Sequence, residues 1–132
     1  MLKKSKFLII CIGILLLVTA GSYLAIAATP GQAESYYNRG VNFLNQDRLP
    51  EAIESFQKAI HDNPADPNSY FYLGSAYYRY GRSIQNRDYL NKAIDSFKRV
   101  LVINPQETKV YYCIAASYVS LENYLDAISI IR

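Results

Sequence analysis

The sequence has no tryptophan, one histidine and two cysteines in 132 residues. The only histidine, His61, has no nucleophile placed beside it by the sequence pattern, and no glycine-rich phosphate loop or paired metal-ligand motif occurs. Cys11 lies in an apolar block and Cys113 in a helical pattern, which argues against a disulfide framework. We therefore expect a protein that is not an enzyme and that needs no cofactor and no metal.

Basic residues are in excess only at the start of the chain. The formal net charge is +3, and Lys3, Lys4 and Lys6 account for it, because the eleven other basic residues are matched by eleven acidic ones. A nucleic-acid surface needs a run or patch of basic residues, which is missing after these lysines. We therefore expect no nucleic-acid partner.

An apolar block follows the three lysines. It runs from Phe7 to Ala28 without a charged residue, and a helix of that length would span about 33 Å, enough for a hydrocarbon core of about 30 Å. The block predicts a membrane anchor, although Ala25, Ile26 and Ala27 offer the small-residue spacing of a cleavable signal. In both cases the lysines favour the cytoplasmic side, which places the rest of the chain outside the cytoplasm.

The chain then divides into residues 1–31, an anchor or signal segment, and residues 32–132, which repeat a pattern. Gly40 and Gly74 lie 34 residues apart, each among aromatic residues, and a second pattern of small residues, a phenylalanine and a proline follows each of them. The positions of the first pattern are Tyr36, Gly40 and Phe43, then Tyr70, Leu73, Gly74 and Tyr77, then Tyr111, Ala115 and Tyr118. The positions of the second pattern are Ala52, Phe56, Ala59 and Pro64, then Ala93, Phe97 and Pro105, then Ala127.

These residues have the spacing of paired helices. Intervals of three and four place the aromatic residues and the glycine of each first pattern on one helical stripe. Gly74 has no side chain, so a second helix carrying Phe97 can come close, and Pro64 and Pro105 end the second helices.

The same positions resemble the tetratricopeptide repeat, and the resemblance covers residues 33–132. It implies an all-α fold, an α-solenoid of antiparallel helix pairs, preceded here by one N-terminal transmembrane or signal helix. The predicted repeats are residues 33–66, residues 67–107 with a seven-residue insertion, and an incomplete third repeat at 108–132. We expect the insertion to add about one turn to each helix of the second pair, with a surface loop as the alternative.

The third repeat stops before its closing proline. Ile128, Ile130 and Ile131 would then leave an apolar edge, which further repeats of a longer chain or a partner would cover.

A helical wheel separates a second face from the stripe that points inward. The resemblance implies that this face lines a concave groove that binds peptides, with Arg79 near its rim; Tyr72 has no clear place on the wheel. The alternative is that the rings pack between repeats. The face carries mainly aromatic, aliphatic or small side chains, so a lysine and asparagine clamp for an acidic carboxy-terminus is not expected. The predicted contact residues are Tyr37, Val41, Leu44, Phe71, Ser75, Tyr78, Arg79, Tyr112, Ala116 and Val119.

Together these features predict a single-pass membrane protein whose repeats form a non-catalytic scaffold for a peptide or helix of a protein partner. Two alternatives stay open: a cleaved, exported adaptor with the same groove, and the regulatory N-terminal part of a longer enzyme.

Overall fold

A computed structural model describes residues 30–132, with side chains from residue 35 onward, and the regular structure in this part of the chain is entirely helical. The predicted anchor or signal helix, Phe7 to Ala28, lies outside the described residues. The six helices are α1 (Pro30–Asn45), α2 (Leu49–Asp62), α3 (Pro67–Ser83), α4 (Arg87–Ile103), α5 (Thr108–Ser120) and α6 (Tyr124–Ser129).

The helices form three consecutive pairs, each joined by a link of three residues. Each link contains one residue in the left-handed region, with φ of 58° at Asp47, 53° at Gln85 and 61° at Glu122. Such short links reverse the chain at once, so the two helices of a pair lie side by side as an antiparallel hairpin. The all-helical solenoid predicted from the sequence is confirmed for residues 30–132.

Polar side chains fix where several helices begin. The Asp66 carboxylate accepts hydrogen bonds from the backbone N–H groups of Asn68 at 3.1 Å and Ser69 at 3.0 Å. The side-chain Oδ1 of Asn86 accepts a hydrogen bond from the backbone N–H of Asp88 at 2.9 Å. These bonds satisfy donors that the first turn of a helix leaves free, and they set the starts of α3 and α4.

The close approach of the paired helices depends on glycine. A Cβ atom added to Gly40 would lie 2.6 Å from Cε1 of Phe56, and one added to Gly74 would lie 2.7 Å from Cε1 of Phe97. Both rings are almost fully buried. In each of the first two pairs, the phenylalanine ring of the second helix therefore occupies the space that a side chain on the first helix would need.

The seven extra residues of the second pair lie within its helices. Eleven positions separate Gly74 from the turn residue Gln85, against seven between Gly40 and Asp47, so four of the extra residues lengthen α3. The other three lengthen the start of α4. Both helices have 17 residues, and the link between them remains three residues long. The structure thus shows the longer hairpin and not the surface loop.

The third pair is short. Helix α6 has six residues, and Ile131, at the position of Phe56 and Phe97 in the earlier pairs, is 53% exposed. Ile128 is also exposed, whereas Ile130 packs against the core, so the predicted apolar edge lacks one of its three isoleucines.

The residues that define the repeat differ in burial. The core includes the small residues of the second helices and the rings of Phe56 and Phe97, together with Leu73 and Tyr77, whereas Pro64 and Pro105 are exposed at helix ends. The remaining aromatic positions, Tyr36, Phe43, Tyr70, Tyr111 and Tyr118, are half-buried. Among residues 30–132, no helix combines the length and the apolar character that a membrane crossing requires.

Candidate functional site

The predicted contact residues lie on the first helices of the three pairs. Helix α3 packs next to α1 on one side and next to α5 on the other. The three helices therefore present one continuous surface, which we call the groove face and define by the contact residues predicted above.

Rings on the groove face also connect adjacent repeats. The ring centroids of Tyr37 and Tyr72 are 5.6 Å apart in a T-shaped pair, and Tyr72 stacks on Phe56 with centroids 5.8 Å apart. Within the second repeat, Phe71 packs against Phe97 with ring centroids 5.9 Å apart. Tyr37 and Phe71 are half-buried, so each ring gives part of its surface to packing and leaves part of it accessible.

Tyr72, which the helical wheel did not place, is thus a contact between the first and second pairs. Burial, followed by the proximity of Tyr72, raises the pKa of Tyr37 to about 12. Tyr37 therefore keeps its proton at physiological pH and serves the groove face as a neutral ring with a hydroxyl group.

The third repeat offers the most accessible part of the groove face. Tyr112 is 60% exposed and Val119 is 49% exposed, with Ala116 exposed one helical turn after Tyr112. Lys109 lies beside them, with its Nζ 4.9 Å from the centroid of the Phe71 ring. This lysine was not among the residues predicted from the sequence, although it precedes Tyr112 by three positions on the same helix.

Leu44 does not belong to the accessible surface. It is 7% exposed and lies in the hydrophobic core, so its side chain is not available to a partner. Val41 is half-buried against the same core. Ser75 is half-buried and donates its hydroxyl to the carbonyl of Phe71 at 3.0 Å. The first two repeats therefore expose less of the groove face than the pattern predicted.

Arg79 joins the first two repeats. Its guanidinium donates to the carbonyl oxygen of Leu44 at 3.1 Å and to Oδ1 of Asp47 at 2.8 Å. The acidic group that Arg79 binds is thus a residue of the chain itself. Tyr78, one position earlier, accepts a long hydrogen bond from the Ser120 hydroxyl at 3.4 Å, which links the second repeat to the third.

A cleft opens where the groove face meets the link between α1 and α2. It encloses about 530 Å³, and Tyr78 and Arg79 line it together with Asp47, Leu49, Pro50 and residues near the end of α3. The cleft was not predicted from the sequence. The insertion that lengthens α3 is the feature of the sequence that could have indicated it, because residues near the end of α3 line the cleft.

Reactive chemistry is sparse in the described part of the chain. Cys113 is a free thiol there, and burial raises its pKa, so the thiol stays protonated and weakly nucleophilic. Residues 30–132 contain no group of three or more histidine, cysteine, aspartate or glutamate side chains arranged to hold a metal ion.

This geometry, an array of antiparallel helix pairs with the first helices lying side by side, defines an α-solenoid. Residues 42–81 match the family model described as the TPR repeat. This match confirms, for residues 42–81, the tetratricopeptide resemblance predicted from the sequence. No curated protein matches the sequence.

Solved structures show the same architecture. A crystal structure of MamA has 27% identity and a TM-score of 0.66, and the match covers 76% of this chain and 54% of that one. The chain thus spans about half the length of this MamA structure. The first TPR of Spaghetti (RPAP3), bound to the HSP90 peptide SRMEEVD, has 21% identity and a TM-score of 0.64, with 76% of each chain covered. The TPR2B domain of yeast Sti1, in a pHsp70 complex, has 17% identity and a TM-score of 0.64, with 75% of this chain and 74% of that one covered.

Proposed function

We propose that the chain is a non-catalytic interaction scaffold, and that its groove face holds a peptide or a helix of a protein partner. The observation that carries the proposal is the exposed apolar surface on α5, where Tyr112 and Val119 face solvent. Lys109, one turn before Tyr112, connects this surface to the half-buried ring of Phe71. Exposed apolar patches on folded proteins commonly mark interaction sites. The HSP90 peptide complex of Spaghetti and the pHsp70 complex of yeast Sti1 support the assignment, since both use this fold.

The side chains of the groove face select for an apolar partner. The accessible apolar members include Tyr112, Val119 and Ala116 on α5 and parts of the Tyr37 and Phe71 rings. Arg79 is also exposed, but it is paired with Asp47. Apolar side chains of a partner would gain about 25 cal/mol for each Å² removed from water there. Lys109, beside Phe71, adds one cation at this end and can pair with a carboxylate of the same partner.

A photo-crosslinking experiment tests the groove face. A photoreactive phenylalanine is placed at Tyr112 in the full-length protein in its native cells, and the matched control carries it at Arg99, which is exposed on α4 and is not a member of the groove face. We expect one defined protein to be crosslinked from Tyr112 and not from Arg99. Equal crosslinking from both positions, or none from Tyr112, would contradict the proposal.

We also propose that Phe7 to Ala28 anchors the scaffold in a membrane, with the N-terminus in the cytoplasm and the repeats outside it. The uncharged apolar block and the three lysines before it support this arrangement. The mass of the mature protein and its resistance to alkaline carbonate extraction test the anchor. Loss of the first 27 or so residues would instead support the cleaved, exported adaptor.

A further inference from the structure

The second hairpin is longer than its neighbours. Four extra residues at the end of α3 and three at the start of α4 add about 6 Å and about 4.5 Å of helix, at 1.5 Å per residue. We call residues 79–92 the hairpin tip; it includes both additions and the link between them. Clefts on its two sides show that neighbouring hairpins do not cover it fully.

Charge is concentrated on the hairpin tip. Residues 79–92 carry four basic side chains and one acidic side chain, whereas the rest of residues 30–132 carries seven basic and ten acidic ones. The formal neutrality of the repeats therefore conceals a positive tip on a negative body. Such a separation attracts an anionic partner to the tip and orients it there.

The two clefts share one arginine. The cleft of about 530 Å³ lies toward the first repeat, and a second cleft of about 480 Å³ lies toward the third repeat. Arg82 lines both of them. Pro50 and Tyr80 contribute apolar surface to the first cleft, whereas Gln85 and Glu122 make the second cleft more polar.

The three arginines of the hairpin tip differ in what they bind. Arg79 is paired with Asp47, and Arg87 donates to the carbonyl oxygen of Leu121 at 2.9 Å. Arg82 is exposed, and its hydrogen bond within the described chain is a long one, 3.4 Å, to the hydroxyl of Tyr78. None of the ion pairs found among the described residues includes Arg82. Its guanidinium can therefore take a carboxylate without losing an internal ion pair.

We propose that the hairpin tip is a second binding site, which takes an acidic peptide segment of a protein partner. A carboxylate of the segment pairs with Arg82, and an adjacent apolar side chain enters the first cleft against Pro50 and Tyr80. An open cleft that offers the apolar surface of Pro50 and Tyr80 beside charged side chains fits a peptide segment better than it fits the flat surface of anionic lipid headgroups. The site overlaps the groove face at Tyr78 and Arg79, which line the first cleft, and does not include its members on α5.

Fluorescence anisotropy with a defined probe tests the site. The probe is the labelled peptide Ser-Glu-Leu-Glu-Glu-Leu-Gly-Ser, its counterpart has glutamine at each glutamate, and the full-length protein is held in phosphatidylcholine nanodiscs. We expect the glutamate peptide to bind more tightly than the glutamine peptide and to be released by salt. Arg82→Gln should weaken its binding by up to about fivefold, the range of an exposed ion pair.

Two control variants distinguish binding at the hairpin tip from binding elsewhere on the protein. Arg99→Gln removes an exposed arginine outside both clefts, and Tyr112→Ala removes a ring of the groove face; we expect neither to change binding of the glutamate peptide. Equal binding of the two peptides, or an equal loss with Arg82→Gln and Arg99→Gln, would overturn the proposal. A larger loss with Tyr112→Ala would place the peptide in the groove face and would also overturn it.

If the hairpin tip contacts lipid and not a peptide, the experiments should give a different result. If the glutamate peptide does not bind, and Arg82→Gln instead lowers crosslinking of the protein to phosphatidylglycerol in mixed nanodiscs, then the hairpin tip contacts lipid and the proposal of a peptide site is wrong. Failure of the proposed groove function would appear separately, as absence of a crosslinked partner at Tyr112.

Discussion

The contact between Gly74 and Phe97 gives the sharpest test of how the helix pairs are held together. In Gly74→Ala, the new methyl group would lie 2.7 Å from Cε1 and 2.8 Å from Cδ1 of Phe97. Real Cβ atoms do not approach other carbons so closely, and the ring is 2% exposed, so it has little free space into which to move. Either the ring must leave its rotamer or the two helices must separate.

Two opposing effects set the size of the change. Replacing glycine by alanine inside a helix stabilises the helix by about 0.8–1.0 kcal/mol, whereas overpacking a dense core costs about 1–3 kcal/mol. Because the added methyl group would lie only 2.7 Å from the ring, we expect an overpacking cost in the upper part of its range, about 2–3 kcal/mol, and therefore a net loss of about 1–2 kcal/mol in the free energy of unfolding. For a domain of this size each kcal/mol shifts the melting temperature by about 4–8 °C, so Tm should fall by about 5–15 °C.

Thermal unfolding of the full-length protein, followed by circular dichroism, measures this change. A double-mutant cycle with Phe97→Leu supplies the control, because a smaller side chain gives the added methyl group room. We expect Gly74→Ala to cost at least about 1 kcal/mol less in the Phe97→Leu background than alone. An unchanged or higher Tm for Gly74→Ala, or additive effects in the cycle, would refute the close approach of the two helices.

Three more contacts can be tested by substitution. Tyr77→Ala should lower the free energy of unfolding by about 3–5 kcal/mol in chemical denaturation. The substitution removes a buried ring and leaves the side-chain amide of Gln57 without its hydrogen bond at 2.8 Å. A loss no larger than that of Tyr112→Ala would contradict this prediction. Asp66→Ala should cost about 1 kcal/mol through the lost cap of α3, whereas Asp66→Asn should retain most of the stability; an equal loss in both would contradict the capping role. Stability should fall as pH rises from about 10 to about 12, because the folded-state pKa of Tyr37 lies above its unfolded value, and Tyr37→Phe should remove this part of the pH dependence in denaturant titrations.

The sequence predicted the interior of the first two hairpins well. In each of them a glycine on the first helix meets a phenylalanine on the second, 16 residues later in the first hairpin and 23 residues later in the second, and both members of each pair are buried. The way in which the insertion is divided between the two helices could also be inferred. About one added turn in each helix leaves its apolar stripe facing the same direction. Local periodicity is sufficient for these features because both partners lie in the same hairpin.

Contacts between hairpins were harder to predict. Leu44 is buried, and Tyr72 stacks on Phe56 of the preceding hairpin. Such contacts depend on the angle at which helices of adjacent hairpins cross, and a helical wheel of one helix gives no information about that angle. The bond from Arg79 to Asp47 joins residues 32 positions apart, and no local pattern indicates it. A contact within the second hairpin also needs a correction. Phe71 packs on Phe97, so Phe71→Ala would disturb the fold as well as any partner contact, and Tyr112 is the better position for testing binding.

The length of the second hairpin has a consequence for how this protein can vary. Each residue turns an α-helix by about 100°, so adding or removing two residues in α3 between Gly74 and the link would rotate the far end of the helix by about 200°. Gly81, where a Cβ atom would lie 3.0 Å from the backbone nitrogen of Leu90, would then face solvent, and a larger side chain would face α4. Related proteins should therefore have hairpins that differ here by three or four residues per helix, and intermediate lengths should be rare.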